Sequence, residues 1–70
     1  MINYLKDFLA KNADKHYEIT FYFVSGQNTI DTFEYEFSFK NENIMLCTKD
    51  GAISILNVNL IERIEFTRIN

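Results

Sequence analysis

Two asparagines separated by one apolar residue are the side chains of this sequence best suited to bind a ligand. Asn57 and Asn59 flank Val58, in a corner before the last predicted strand. An amide offers a donor and an acceptor without charge, which suits selective contacts rather than tight ionic binding. Asparagine is also a favoured turn residue. The pair therefore predicts either a binding site or an ordinary turn.

Aromatic side chains form a second candidate group, because flat rings can stack on a planar ligand. The chain has 7 Phe and 4 Tyr. Four of them alternate along one predicted strand: Phe33, Tyr35, Phe37 and Phe39. This ladder could stack single-stranded bases, but beside Phe21 and Phe23 it is more typical of cross-strand packing in a core. Tyr22 points to the opposite face of its strand, so it is the aromatic that we expect to be exposed.

No motif indicates catalysis or a metal site. His16 has no Ser, Cys or Asp placed to form a nucleophilic pair, and at a helix end we expect it to be solvated, where a cation complements the helix dipole. Glu34 and Glu36 could act as paired carboxylates, but their polar neighbours indicate a solvated strand face. Cys47 and one distant histidine are too few for a metal site. We expect a protein that is not an enzyme and has no cofactor.

Charge is spread unevenly along the chain, whose formal net charge is -3. Residues 17 to 47 carry five carboxylates against one lysine, a balance of -4. The N-terminal part is weakly basic, and Lys6 and Lys11 could flank the path of a nucleic acid or simply aid solubility. Because no long basic stripe is present, tight nonspecific binding of nucleic acid is disfavoured.

The hydrophobic pattern predicts one helix followed by five antiparallel strands. Leu5, Phe8 and Leu9 recur at helical spacing, which predicts a helix over about 3–13 with Asn3 as its N-cap. The period then changes to two. The predicted strands span about 17–24, 29–39, 43–48, 52–57 and 60–67.

Glycine-containing segments predict the turns between these strands. Residues 25–28 form one turn around Gly26, and Asp50-Gly51 suits a type I′ hairpin that pairs 52–56 with 44–48. With 70 residues and no proline, the chain is one domain without a linker. No apolar run approaches the roughly 18 residues of a membrane span, so we expect a cytoplasmic protein that does not enter the membrane.

An open five-stranded sheet leaves two edges whose backbone groups can pair with another chain. Proline and lysine usually block such edges, but this sequence has no proline and few lysines in its strands. A small core also gains stability from association. We therefore expect a homo-oligomer, with a barrel-like monomer whose helix closes one end as the alternative.

The sequence resembles the Sm-like family, and within it bacterial Hfq. The likeness covers nearly the whole chain, with about four extra residues in the second strand. It is carried by Phe8-Leu9, residues 19–26, 39–41 and 44–46, Asp50-Gly51, and residues 55–61. The resemblance implies a small, bent five-stranded sheet or barrel. It also implies a ring, usually of six subunits, closed by pairing the fourth strand of one subunit with the fifth of the next.

The resemblance further implies binding of single-stranded RNA in post-transcriptional regulation. In the family, bases stack on an aromatic ring and bond polar side chains at the last corner, where Hfq has Tyr-Lys-His and this chain has Asn57-Val58-Asn59. The candidate RNA-binding residues are therefore Tyr22, Asn57, Asn59, Lys6 and Lys11. The alternative hypothesis is an acidic module on the same fold that binds a partner protein and no nucleic acid.

Overall fold

The structure is a computed structural model that describes all 70 residues, and it contains one helix and six strands. The elements are α1 (Ile2–Lys11), β1 (Tyr17–Phe23), β2 (Gly26–Asp31), β3 (Tyr35–Lys40), β4 (Asn43–Thr48), β5 (Ile53–Asn57), a 3-10 helix (Val58–Leu60) and β6 (Arg63–Arg68). The strands form two antiparallel sheets, the first ordered β2-β1-β6 and the second β3-β4-β5. A mostly β fold with one N-terminal helix is thus confirmed, but the number of strands differs from the expected five.

Leu5 of helix α1 is fully buried and belongs to the core cluster, which contains residues of both sheets. The prediction that Asn3 caps the helix is wrong. The Leu5 N–H donates to the Met1 carbonyl at 3.1 Å, so Asn3 already lies inside the first turn. The helix ends at Lys11 rather than at 13, because Asn12 leaves the helical conformation at φ -119° and ψ 26°. Its backbone and side-chain N–H groups both donate to the Phe8 carbonyl.

The core lies between the inner faces of the two sheets. Its buried residues are Leu5, Ile19, Phe21, Ile30, Ile44, Leu46 and Ile61. The alternation predicted for β1 is confirmed, because Ile19 and Phe21 are both inaccessible to solvent. Three rings of the predicted aromatic ladder, Tyr35, Phe37 and Phe39, pack against this core. These half-buried rings therefore stabilise the fold.

The strand expected over 29–39 is two strands joined by a turn, which corrects both the strand count and the place of Phe33. The Asp31 carboxylate accepts a hydrogen bond from the Phe33 N–H at 2.9 Å, and the Asp31 carbonyl accepts one from the Glu34 N–H at 3.1 Å. The backbone of Thr32 and its hydroxyl both bond to Tyr17. The Thr32 backbone bond to Tyr17 continues the β1–β2 register by one residue. The Asp31 bonds then turn the chain at 33–34 and leave Phe33 51% exposed.

Two further boundaries differ from expectation. Strand β2 begins at Gly26, which pairs with Phe23, so the first hairpin turn is shorter than 25–28. Strand β6 begins at Arg63 rather than at about 60, because Val58–Leu60 forms a 3-10 helix closed by the Ile61 N–H donating to the Val58 carbonyl. The strands predicted over 43–48 and 52–57 correspond to β4 and β5.

The pairing of β5 with β4 is confirmed, but its turn is not type I′. Thr48 and Ala52 close the hairpin, since the Thr48 N–H donates to the Ala52 carbonyl at 2.9 Å. Three residues lie between them, with Gly51 at φ +95° and no positive φ at Asp50. A type I′ turn needs positive φ at both central residues, so this loop is of the longer, three-residue kind.

Candidate functional site

The outer face of the first sheet is a polar surface containing one aromatic ring. Because side chains alternate along a strand, the residues next to buried Ile19 and Phe21 point outward. The register across β2, β1 and β6 places them in rows. The two rows nearest the first hairpin contain Gln27, Tyr22 and Arg63, then Thr29, Thr20 and Glu65.

The row of Gln27, Tyr22 and Arg63 combines an amide, a ring and a cation. The Arg63 guanidinium carbon lies 4.0 Å from the centre of the Tyr22 ring, a cation–π contact. Arg63 also bonds Glu65 at 2.9 Å, yet its side chain is 63% exposed. Tyr22 is half-buried rather than freely exposed as expected, because Arg63 lies over its ring. The row can stack on a planar group and bond its edge.

Hydrogen bonds within the chain engage both candidate asparagines. The Asn57 side-chain oxygen accepts a bond from the Asn59 N–H at 2.9 Å and caps the 3-10 helix. The Asn59 side-chain amide donates to the Glu42 carboxylate. The two asparagines thus stabilise the corner, and only Asn57 Nδ2 and Asn59 Oδ1 have no partner within the chain.

The two candidate lysines lie on α1, on a separate part of the surface. Lys6 Nζ is 5.2 Å from the centre of the Phe39 ring, and Lys11 is exposed in the last turn of the helix. No hydrogen bond or cation–π contact joins either lysine to Tyr22 or to the two asparagines. The five predicted residues therefore do not form a single site.

A contact that the sequence did not predict joins the loop after α1 to the turn after β2. His16 Nε2 lies 2.6 Å from Asp31 Oδ1, and the His16 ring stacks on Phe33 with centroids 4.3 Å apart and planes 7° from parallel. The hydrogen bond from His16 holds the pKa of the Asp31 carboxyl below its ordinary value, with a smaller contribution from the Phe33 N–H. His16 is therefore paired rather than simply solvated.

A signal for this contact is present in the sequence. Once Phe23 pairs with Gly26, the register places Asp31 opposite Glu18, beside the start of β1. Aspartate also favours turns in which its carboxylate bonds the N–H two residues on. Gln27 and Arg63, the neighbours of Tyr22, were missed because their alignment depends on strand register rather than on sequence spacing.

The site and the fold together define a small, mostly β domain with a polar, stacking-competent sheet face. No group of three or more His, Cys, Asp or Glu side chains forms a metal-binding cluster. None of the helices is long and apolar enough to cross a membrane. Comparisons with protein-family models, with curated proteins and with solved structures found no match to this chain.

Proposed function

We propose that this chain is the subunit of an Sm-like, Hfq-like homo-oligomeric ring that binds single-stranded RNA weakly and selectively. The function falls in post-transcriptional regulation, as the resemblance implies. The observation that carries the proposal is the row of Gln27, Tyr22 and Arg63 on the outer face of the first sheet. The ring supplies copies of this row.

The row suits the chemistry by which proteins recognise unpaired bases. Single-stranded bases stack on aromatic rings or on the plane of an arginine and bond through their edges. The exposed guanidinium of Arg63, supported from below by Tyr22, offers a surface for such stacking. The Gln27 amide lies across Tyr22 from Arg63 and offers both a donor and an acceptor to a base edge. One cation per row supports weak rather than tight binding.

Two unpaired strand edges support the assembly. Strand β5 is one of the two edges of the second sheet and exposes Ile53 and Ile55 at 61% and 62%, while β6 is one of the two edges of the first sheet. The resemblance implies pairing between the strands predicted at 52–57 and 60–67, which correspond to β5 and β6. Pairing β5 of one subunit with β6 of the next would satisfy both edges and repeat the row around a ring. Repeated weak sites gain affinity by avidity.

RNA binding tests the proposal, with fluorescence anisotropy of labelled single-stranded oligonucleotides at low salt. Tyr22→Ala and Arg63→Gln should each weaken binding about 5- to 30-fold, because one base stack contributes roughly 1–2 kcal/mol. Arg68→Gln is the matched control, since it removes an exposed arginine of the same strand outside the row. Its affinity should match the wild type.

Two outcomes contradict RNA binding through this row. One is the absence of binding to any oligonucleotide at low salt. The other is equal weakening by Arg63→Gln and Arg68→Gln, which would indicate general charge attraction. Binding that weakens with added salt in the wild type supports a contact with phosphate.

A second candidate function is the binding of a partner protein, which the charge balance of -4 over residues 17 to 47 favours. The outer face of the second sheet places exposed Glu36 beside half-buried Cys47, and Cys47 lies opposite exposed Ile53. Carboxylate next to apolar surface is suited to a basic and apolar protein partner. A protein that assembles normally but binds no oligonucleotide at low salt would favour this function over the first.

A further inference from the structure

The cleft between α1 and the turn after β2 has no role in the proposed function. Its volume is about 170 Å³, and its lining includes Phe8, Asn12, Lys15, Thr32, Phe33 and Phe37. A cavity of roughly 150 Å³ with apolar walls accepts one benzene ring. The cleft therefore matches a single six-membered ring in size.

Rings already stack and pack in the walls of this cleft. Phe33 is 51% exposed although His16 stacks on it, and Phe8 meets Tyr17 edge to face with centroids 4.9 Å apart. The bonds of Asp31 to His16 and to the Phe33 N–H fix the turn that carries Phe33. An aromatic ligand would thus meet walls that are positioned before it binds, which lowers the entropy cost of binding.

Three polar groups with free bonding capacity also line the cleft. Lys15 is half-buried and forms no ion pair. The Thr32 hydroxyl accepts a bond from the Tyr17 N–H and keeps its own proton to donate. Asn12 uses its side-chain N–H toward Phe8, which leaves its Oδ1 free as an acceptor. A cation and a hydroxyl donor together favour an anionic substituent on the ring.

We propose that this cleft binds a small aromatic acid, a single six-membered ring carrying one carboxylate or phosphate group. The ring lies among Phe8, Phe33 and Phe37, and the anionic group meets the ammonium of Lys15. The site is independent of the RNA-binding row, because none of its lining residues belongs to that row.

A titration followed by amide chemical shifts in two-dimensional NMR tests this site on the whole chain. Benzoate should shift the amides around Lys15, Thr32 and Phe33 and bind at about 0.1–1 mM, the range reached by a ligand of this size. Benzamide, which keeps the ring without the charge, should bind more weakly. Cyclohexanecarboxylate, which keeps the charge without the aromatic ring, should also bind more weakly. Phenyl phosphate binding tighter or weaker than benzoate assigns the preferred anion, and either order supports the site.

Two variants and one control separate the contributions. Lys15→Gln should weaken the binding of benzoate about fivefold and leave the binding of benzamide unchanged, because only the ionic contact is lost. Phe33→Ala should weaken the binding of both ligands by at least about threefold, because a ring contact is lost. Lys49→Gln, a change at an exposed lysine in the β4–β5 loop, should alter neither. The fold should tolerate all three changes, and the amide spectrum of each variant without ligand reports this directly.

Three results would overturn the site. The first is a benzoate titration that leaves the cleft amides unshifted. The second is equal binding of benzoate and benzamide, which would remove the anion from the proposal. The third is equal weakening of benzoate binding by Lys15→Gln and Lys49→Gln, which would indicate general charge attraction rather than a contact with Lys15.

Discussion

Asp31 is the residue on which the departure from a continuous second strand depends. Its carboxylate accepts the Phe33 N–H and contacts His16, and its carbonyl accepts the Glu34 N–H. One side chain thus ends β2, forms the turn and ties that turn to the loop after α1. An aspartate at a turn of this kind competes with strand pairing because its oxygen reaches nearby backbone donors.

The His16 contact predicts how stability changes in acid. The hydrogen bond from His16 lowers the pKa of Asp31 in the folded chain below the ordinary 3.8. The Asp31 carboxylate therefore stabilises the fold at any pH above the pKa that it has in the unfolded chain. That contribution is lost as pH falls through the lower, folded value. In urea unfolding, Asp31→Asn should therefore reduce stability at neutral pH and make the loss between neutral pH and about pH 2 smaller than in the wild type.

The control for this prediction is Asp14→Asn, a change at an exposed aspartate that forms no ion pair. It should leave both the midpoint at neutral pH and the acid dependence close to those of the wild type. Asparagine at 31 can still accept the Phe33 N–H, so the comparison isolates the charge rather than the turn. Identical acid profiles for Asp31→Asn and the wild type would show that the contact with His16 does not stabilise the fold.

At the scale of elements, apolar periodicity predicted the buried faces correctly, whereas it did not predict the turns that local hydrogen bonds form. The buried faces of α1 and β1 follow directly from apolar spacing in the sequence. The apolar alternation of Phe33 with Tyr35 and Phe37, however, predicted a continuous strand where the chain turns. Spacing carries no information about the bond between the Asp31 carboxylate and the backbone. The same holds for the β4–β5 loop, where the Thr48 side chain bonds both Asp50 and the Ala52 N–H.

The start of α1 provides a test of the corrected helix boundary. If Asn3 were the N-cap, Asn3→Ala would cost about 1 kcal/mol. In the structure Asn3 is exposed inside the helix and makes no capping bond, so alanine should be neutral or stabilise the chain by up to about 0.7 kcal/mol. The free energy of unfolding in urea measures the difference.

Leu5→Ala is the comparison two positions along the same helix. Leu5 is fully buried, so its truncation should cost about 2–5 kcal/mol, a large share of the stability of so small a domain. A cost of about 1 kcal/mol or more for Asn3→Ala would instead support the cap that the sequence predicted.

Gly51 tests the geometry of the β4–β5 loop. Its φ of +95° is unfavourable for other residues, while a side chain added there would meet no atom within 4 Å. Gly51→Ala should therefore cost roughly 1–2 kcal/mol from backbone strain alone. Ser25→Ala, in the first hairpin at a position without positive φ, should change the free energy of unfolding by less than about 0.5 kcal/mol. Equal effects of the two substitutions would contradict the positive φ at Gly51.

At the scale of the whole molecule, the candidate binding row exists only through the pairing of distant strands. Tyr22 and Gln27 are joined by a short hairpin, but Arg63 reaches Tyr22 through the β1–β6 register. The sequence alone predicted that Tyr22 lies on the outer face of its strand. It did not predict Arg63 as its partner, because a shift of one residue in the β1–β6 register would turn the arginine to the other face of the sheet. The same long-range pairing leaves β5 and β6 as edges on different sheets.

Those two edges lead to the prediction on assembly. If β5 of one subunit pairs with β6 of the next, the 8.3 kDa chain should form a closed particle, about 50 kDa for six subunits. Ile55→Lys should reduce the mass from light scattering to that of the monomer, because a lysine on an edge strand opposes pairing. Ile55 is 62% exposed, so the monomer should remain folded. Ala52→Lys adds the same charge at an exposed position before β5 and should leave the particle intact. A wild-type protein that stays monomeric at all concentrations would exclude the ring. The row of Gln27, Tyr22 and Arg63 could still be tested separately, because all three residues come from one chain.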